Sequence, residues 1–107
     1  MYMYEKEAIN RASVKIKDKF SDNIISIYAF GSNVRGDHGD WSDLDVLVIV
    51  RDKNPEIEDE VISIFADEEL KTGIPFASVI KDIKVFEMEK KFNTTFYRNI
   101  MNEGVLI

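Results

Sequence analysis

Residues 31–50 read Gly31-Ser32-Asn33-Val34-Arg35-Gly36-Asp37-His38-Gly39-Asp40-Trp41-Ser42-Asp43-Leu44-Asp45-Val46-Leu47-Val48-Ile49-Val50. A Gly-Ser dipeptide opens the stretch, ten residues separate it from Asp43-Leu44-Asp45, and an apolar run closes it. The run from Leu44 to Val50 is nearly continuous in branched aliphatic side chains, the pattern of a central strand covered on both faces. Side chains alternate along a strand, so Asp43 and Asp45 point to the same side. Two carboxylates next to each other repel. In an apolar strand they persist where a cation sits between them or water reaches them. A hard divalent cation such as Mg²⁺, which takes carboxylate oxygens together with substrate phosphates, meets that need.

The segment before it supplies the complement. Ile24 to Phe30 is apolar and β-branched, short enough for a buried strand, and it ends in Gly31-Ser32. Glycine lets a phosphate approach the backbone, the N–H groups of a helix start attract anions, and the Ser32 hydroxyl adds a donor. Arg35 lies about one turn on and is placed to reach the same phosphates. One element suited to phosphates beside another suited to metals describes metal-assisted displacement at a nucleoside triphosphate.

Working outward, residues 5–20 repeat Ile9, Ala12, Ile16 and Phe20 at helical spacing with lysines between them. Residues 21–23 break this helix. Residues 33–42 carry two glycines and much polarity, so the expectation is a loop with at most one helical turn. Asn54-Pro55 is an N-cap followed by proline at the first helical position, and Gly73 stops the helix. A third strand is expected over residues 74–80, with Pro75 at its start. Asp82 caps a short helix through Glu89. Thr94 or Thr95 caps another through Glu103, and Gly104 ends it. The expected order is α-β-β-α-β-α-α: one α+β or α/β domain over residues 1–107, with a small sheet of three or four strands.

Composition agrees with a single domain. The chain has 107 residues, 45 % of them hydrophobic and 32 % charged, enough to bury a core without staples. No cysteine is present, and His38 is the sole histidine; a thiolate or His-rich metal site is excluded. No apolar run approaches the length that spans a bilayer, and no signal-peptide core precedes the first helix. A cytoplasmic location is expected by default. The net charge of −6 disfavours polyanion binding through the global field. Charge is nevertheless segregated: residues 1–20 hold Lys6, Arg11, Lys15, Lys17 and Lys19, and residues 56–69 hold seven carboxylates and no base.

The Gly31-Ser32, ten residues, Asp43-x-Asp45 pattern resembles the nucleotidyltransferase superfamily related to DNA polymerase β. The flanking residues, from Ile27 to Gly36 and from Ser42 to Val48, look like its minimal nucleotidyltransferases. These are small prokaryotic proteins reduced to the catalytic domain, often paired as antitoxin with a HEPN-type toxin. The ending from Phe96 to Val105 also looks like that group. The resemblance implies a polymerase β-like palm, a mixed sheet flanked by helices. It implies that Gly31 and Ser32 hold the β and γ phosphates and that Asp43 and Asp45 bind Mg²⁺ in a two-metal site. It implies transfer of AMP from ATP to a hydroxyl of a protein or RNA acceptor, the HEPN toxin and tRNA being candidates, or a second subunit that completes the pocket. The wider superfamily uses a third carboxylate from a later strand. Residues 74–80 contain no acid. Either Asp82 bends in, or Ser78 occupies the place, or the protein binds nucleotide with weak or absent transfer and neutralises its partner by contact.

Plainer readings cover the rest. Asp37 and Asp40 suit turns. Trp41 packs its loop onto the domain more readily than it stacks a base. His38 reads as a solvated side chain. The acidic run from Glu56 reads as the start and solvated face of a helix, as do the lysines of the first helix. Phe92, Phe96 and Tyr97 are core, or part of a surface that buries against another chain.

Overall fold

The computed structural model describes residues 1–31, 34 and 43–107, and the apolar run at 44–50 lies in the middle of its sheet. Strands β1 (Ile24–Phe30) and β2 (Leu44–Val50) keep the boundaries expected of them. They pair antiparallel, with Phe30 opposite Asp45 and Ile24 opposite Val50. Strand β3 (Phe76–Asp82) lies on the other side of β2 and runs parallel to it. A two-residue strand, β4 (Val105–Leu106), completes the order β3-β2-β1-β4.

Helix α1 (Met3–Phe20) leads into a 3₁₀ turn (Ser21–Asn23) and then β1. The Tyr2 N–H donates to Glu5 Oε1 at 2.6 Å, which starts this helix slightly earlier than its periodicity suggests. Helix α2 (Pro55–Thr72) connects β2 to β3. Asn54 accepts from the Ile57 N–H at 3.0 Å, and Gly73, at φ 76°, closes the helix in a left-handed conformation. Helix α3 (Ile83–Phe92) and helix α4 (Thr95–Glu103) follow β3. Asp82 Oδ1 accepts from the Lys84 N–H at 2.8 Å and Thr94 Oγ1 from the Tyr97 N–H at 3.2 Å. Both caps agree with the sequence. Helix α3 runs past Glu89 to Phe92, where Asn93 adopts the left-handed turn that stops it.

The sheet separates two apolar layers. Leu44, Val46, Val48 and Val50 of β2, with Ile27 and Ala29 of β1, meet Ile9, Ala12 and Ile16 of α1 and Ile57, Val61 and Phe65 of α2. The opposite β2 residues, Leu47 and Ile49, meet Phe86 of α3 and Ile100 of α4. This is why β2 reads as a continuous hydrophobic run: both its faces are covered.

Three expectations are corrected. The third strand begins at Phe76 and not at Ile74. Pro75 has no N–H for the ladder, and its carbonyl takes the first bond, from Leu44 N at 2.8 Å. Val105 and Leu106 were not expected as a strand. They pair with Ala29 and Tyr28, and the adjoining Ile107 N–H donates to the Ile27 carbonyl at 2.8 Å. Glu68 is not on a solvated face. It is 0 % exposed, and Arg11 of α1 donates to its Oε1 through Nη2 at 2.9 Å and Nε at 3.2 Å. Lys15 Nζ stands 3.9 Å from its other oxygen. The basic residues of α1 and the acidic run of α2 thus meet where the two helices pack.

Candidate active site

The bend after β1 and the start of β2 converge. Gly31 has φ 91°, a conformation that glycine adopts without the steric cost of a side chain. A Cβ built on it would collide with Oδ2 of Asp45 and lie 3.2 Å from its Cγ. The Asp45 carboxylate therefore rests against the backbone of Gly31, in space that only a residue without a side chain leaves open.

Asp45 alternates with Leu44 and Val46, which enter the layer under α1 and α2. Its side chain belongs to the other face, that of Leu47 and Ile49. Burial, and then the charge of Asp43, hold the Asp45 carboxyl above the ordinary aspartate value. Asp43 is exposed, just ahead of the strand. Asp43 is near enough for its charge to act on Asp45.

Strand register decides the third position. Ala77 is the Cα partner of Asp45, and Ser78 that of Val46. Ser78 therefore lies on the α1–α2 side of the sheet. Asp82 is opposite Val50 at the far end of β2, roughly 16 Å along the strand from Ala77, where its carboxylate caps α3. Neither Ser78 nor Asp82 is brought to the aspartate pair. The β3 positions on that face are Ala77, Val79 and Lys81, none of them an acid; Lys81 Nζ pairs with Glu89 at 2.6 Å and lies 3.9 Å from the centre of the Phe96 ring. Among the described residues no group of three histidine or carboxylate side chains comes together as a metal site. Ser32, Arg35, His38 and Trp41 lie outside the described residues.

Phe30, paired with Asp45, escaped the sequence reading. Its ring meets Phe96 of α4 edge-on, with centroids 5.7 Å apart. The alternation of β1 places it on that face, but nothing local in the sequence tells that it stands opposite Asp45.

A divalent cation fits this arrangement. Two carboxylates are close enough for one to raise the other, and one of them is partly buried against an open backbone bend. A cation would offset both penalties. The fold is a mixed sheet between helix layers, with an acidic side chain against a glycine bend.

The comparisons agree. The nucleotidyltransferase domain family matches residues 9–107, and the chain belongs to that family. Two relatives from Methanocaldococcus jannaschii each carry the name "putative protein adenylyltransferase". One is 32 % identical over 103 residues, covering 95 % of this chain and 96 % of its own. The other is 29 % identical over 101 residues, covering 92 % and 94 %. Among solved structures, a "putative nucleotidyltransferase" from Sulfolobus solfataricus aligns with a TM-score of 0.55 at 23 % identity, over 94 % of this chain and 76 % of that one. A toxin-antitoxin structure with AMP-PNP aligns at 0.56 and 17 % identity, over 90 % of this chain and 69 % of that one. The fold expected from the sequence, a small mixed sheet flanked by helices, is the fold observed.

Proposed function

We propose that this protein transfers AMP from ATP to a hydroxyl on a protein or RNA acceptor, as the antitoxin of a HEPN-type pair. The observation that carries the reading is the approach of Asp45 to Gly31. It puts an acidic side chain against the bend where a phosphate-binding Gly-Ser is expected. Asp43 and Asp45 are the residues that would hold Mg²⁺, as a two-ion site. When bound, the metal supplies positive charge to the triphosphate and acidifies the acceptor hydroxyl. Gly31 lets the Asp45 carboxylate lie against the bend, with Ser32 and Arg35 as the expected phosphate partners. In the reaction the acceptor oxygen bonds to the α phosphorus, the bond from that phosphorus to the bridging oxygen breaks, and pyrophosphate leaves. The acceptor proton passes to a carboxylate of the pair or to solvent. The relatives' adenylyltransferase names support AMP as the group moved, and the toxin-antitoxin neighbour supports a protein partner.

Ala77, beside Asp45, favours a second reading. With no third carboxylate on that rung, the protein is a nucleotide-binding antitoxin of weak or absent transfer that neutralises its partner by contact. One experiment separates the two. The protein is incubated with α-labelled ATP, Mg²⁺ and either the neighbouring-gene product or tRNA. Label that moves to the acceptor, and is lost in Asp43→Asn and Asp45→Asn, supports transfer. Neutralisation that survives both substitutions without label supports the second reading.

A further inference from the structure

Strand pairing sets Phe30 directly opposite Asp45. Directly opposite residues of an antiparallel pair carry their side chains on one face, with Cβ atoms roughly 4.5–5.5 Å apart. The next residue of β1 is Gly31, where Asp45 Oδ2 occupies the place of the missing side chain. Two consecutive residues thus border the carboxylate in opposite ways. Gly31 leaves a space that receives it, and Phe30 fills the adjoining space with a ring. On the other flank Asp45 has Ala77, whose methyl group restrains it little.

The Phe30 ring is itself held. Phe30 and Phe96 are both half-buried and meet edge to face, with centroids 5.7 Å apart and planes at 75°. Lys81 Nζ stands over the Phe96 ring, 3.9 Å from its centre. Lys81 pairs in turn with Glu89 of α3. Glu89 Oε1 accepts from Thr94 Oγ1 at 3.4 Å, and Thr94 caps α4. Contacts from β1, β3 and α3 therefore converge on the start of α4 and on its Phe96. Lys81 itself is remote from the acid: it lies four residues beyond Ala77, roughly 13 Å along β3.

We infer that Phe30 is a positioning residue for Asp45, and that Phe96 acts through it. An aspartate side chain has three staggered χ1 wells. The Phe30 ring denies the carboxylate the side away from the bend and keeps it against Gly31. A metal that binds Asp45 then meets a carboxylate already in place and does not bear the cost of selecting one well from several.

This inference rests on the reading that Asp45 holds a metal, but its first readout needs neither metal nor nucleotide, so the two fail separately. The χ1 angle of Asp45 is read in metal-free, ¹³C,¹⁵N-labelled protein from the three-bond couplings of its Cγ to the backbone N and C′. The wild type gives the couplings of a single rotamer. Phe30→Leu and Phe96→Leu give averaged couplings. Titration with Mn²⁺, followed by the EPR signal of the free ion, shows binding about threefold weaker in both variants, the factor expected when the one competent well becomes one of three. Val61→Ala, in the layer across the sheet, lowers the melting temperature but changes neither the couplings nor the Mn²⁺ affinity. Phe96→Leu decides the question should Phe30→Leu not fold. Averaged couplings in the wild type, a single rotamer in a folded Phe30 or Phe96 variant, averaging in Val61→Ala, or averaging without loss of Mn²⁺ affinity overturns the inference. A wild type that binds no Mn²⁺ refutes the metal reading, and the couplings alone then decide whether Phe30 positions Asp45.

Discussion

Gly31 and Asp45 share one volume: the place where a side chain at 31 would begin is filled by a carboxylate oxygen of Asp45. The bend and the acid are therefore a single structural unit, although thirteen residues separate them in the chain.

Gly31→Ala tests that unit. Alanine meets both a positive φ and the Asp45 carboxylate, so the melting temperature falls by about 5–10 °C. Calorimetry with ATP and Mg²⁺ shows binding weakened beyond detection. An alanine variant that keeps wild-type stability and binding contradicts the close approach.

Asp45→Asn is expected to stabilise the metal-free protein while removing transfer. Burial and Asp43 raise the Asp45 carboxyl in the folded chain. The folded state then holds its proton to higher pH than the unfolded state does. Stability therefore falls as pH rises through that window, and the ionised Asp45 is a burden at neutral pH. The asparagine variant melts up to about 4 °C higher at pH 7. The gap closes as pH is lowered until the wild-type carboxyl is protonated. Melting curves across pH, with and without Mg²⁺, check this; Mg²⁺ raises the wild type alone.

Ala77→Asp places a carboxylate on the β3 rung next to Asp45. Mg²⁺ affinity and the rate of label transfer each rise about tenfold or more, and the metal-free protein becomes less stable. Ser78→Asp, on the other face of the sheet, gives no such gain and lowers stability. If Ser78→Asp rather than Ala77→Asp enhances transfer, the β2–β3 register is wrong.

The contact of Arg11 with buried Glu68 predicts a non-additive pair. Arg11→Met leaves a carboxylate without its hydrogen-bonded cation, and the melting temperature drops by several degrees. Combining it with Glu68→Met restores most of the loss, because a buried pair replaced by apolar groups is often neutral or better. Thermal melts of the two single variants and the double variant measure the coupling. Transfer is unaffected, since this pair lies on the opposite side of the sheet from Asp45.

Helix caps, strand cores and the Gly31-to-Asp45 pattern were legible because each depends on residues close in the chain. Asn54, Asp82 and Thr94 act on backbone groups two or three positions away. The alternation that puts Asp45 and Leu47 on one face and Val46 on the other is likewise local. Ser78 and Asp82 were reasonable candidates by distance along the chain, yet β2 and β3 are joined through α2. No local rule sets which residue of one meets which of the other.

The amino-acid order alone determined the α-β-β-α-β-α-α progression and the central placement of β2, since dihedral preference and side-chain period act over a few residues. Only the tertiary structure decided that Ala77 stands beside Asp45, that Val105 and Leu106 form an edge strand, and that Glu68 is buried under Arg11. These depend on register and packing between segments distant in the chain. Such relations are set by how whole layers bury their surface, and a one-residue slip in register would reverse every one of the facing positions.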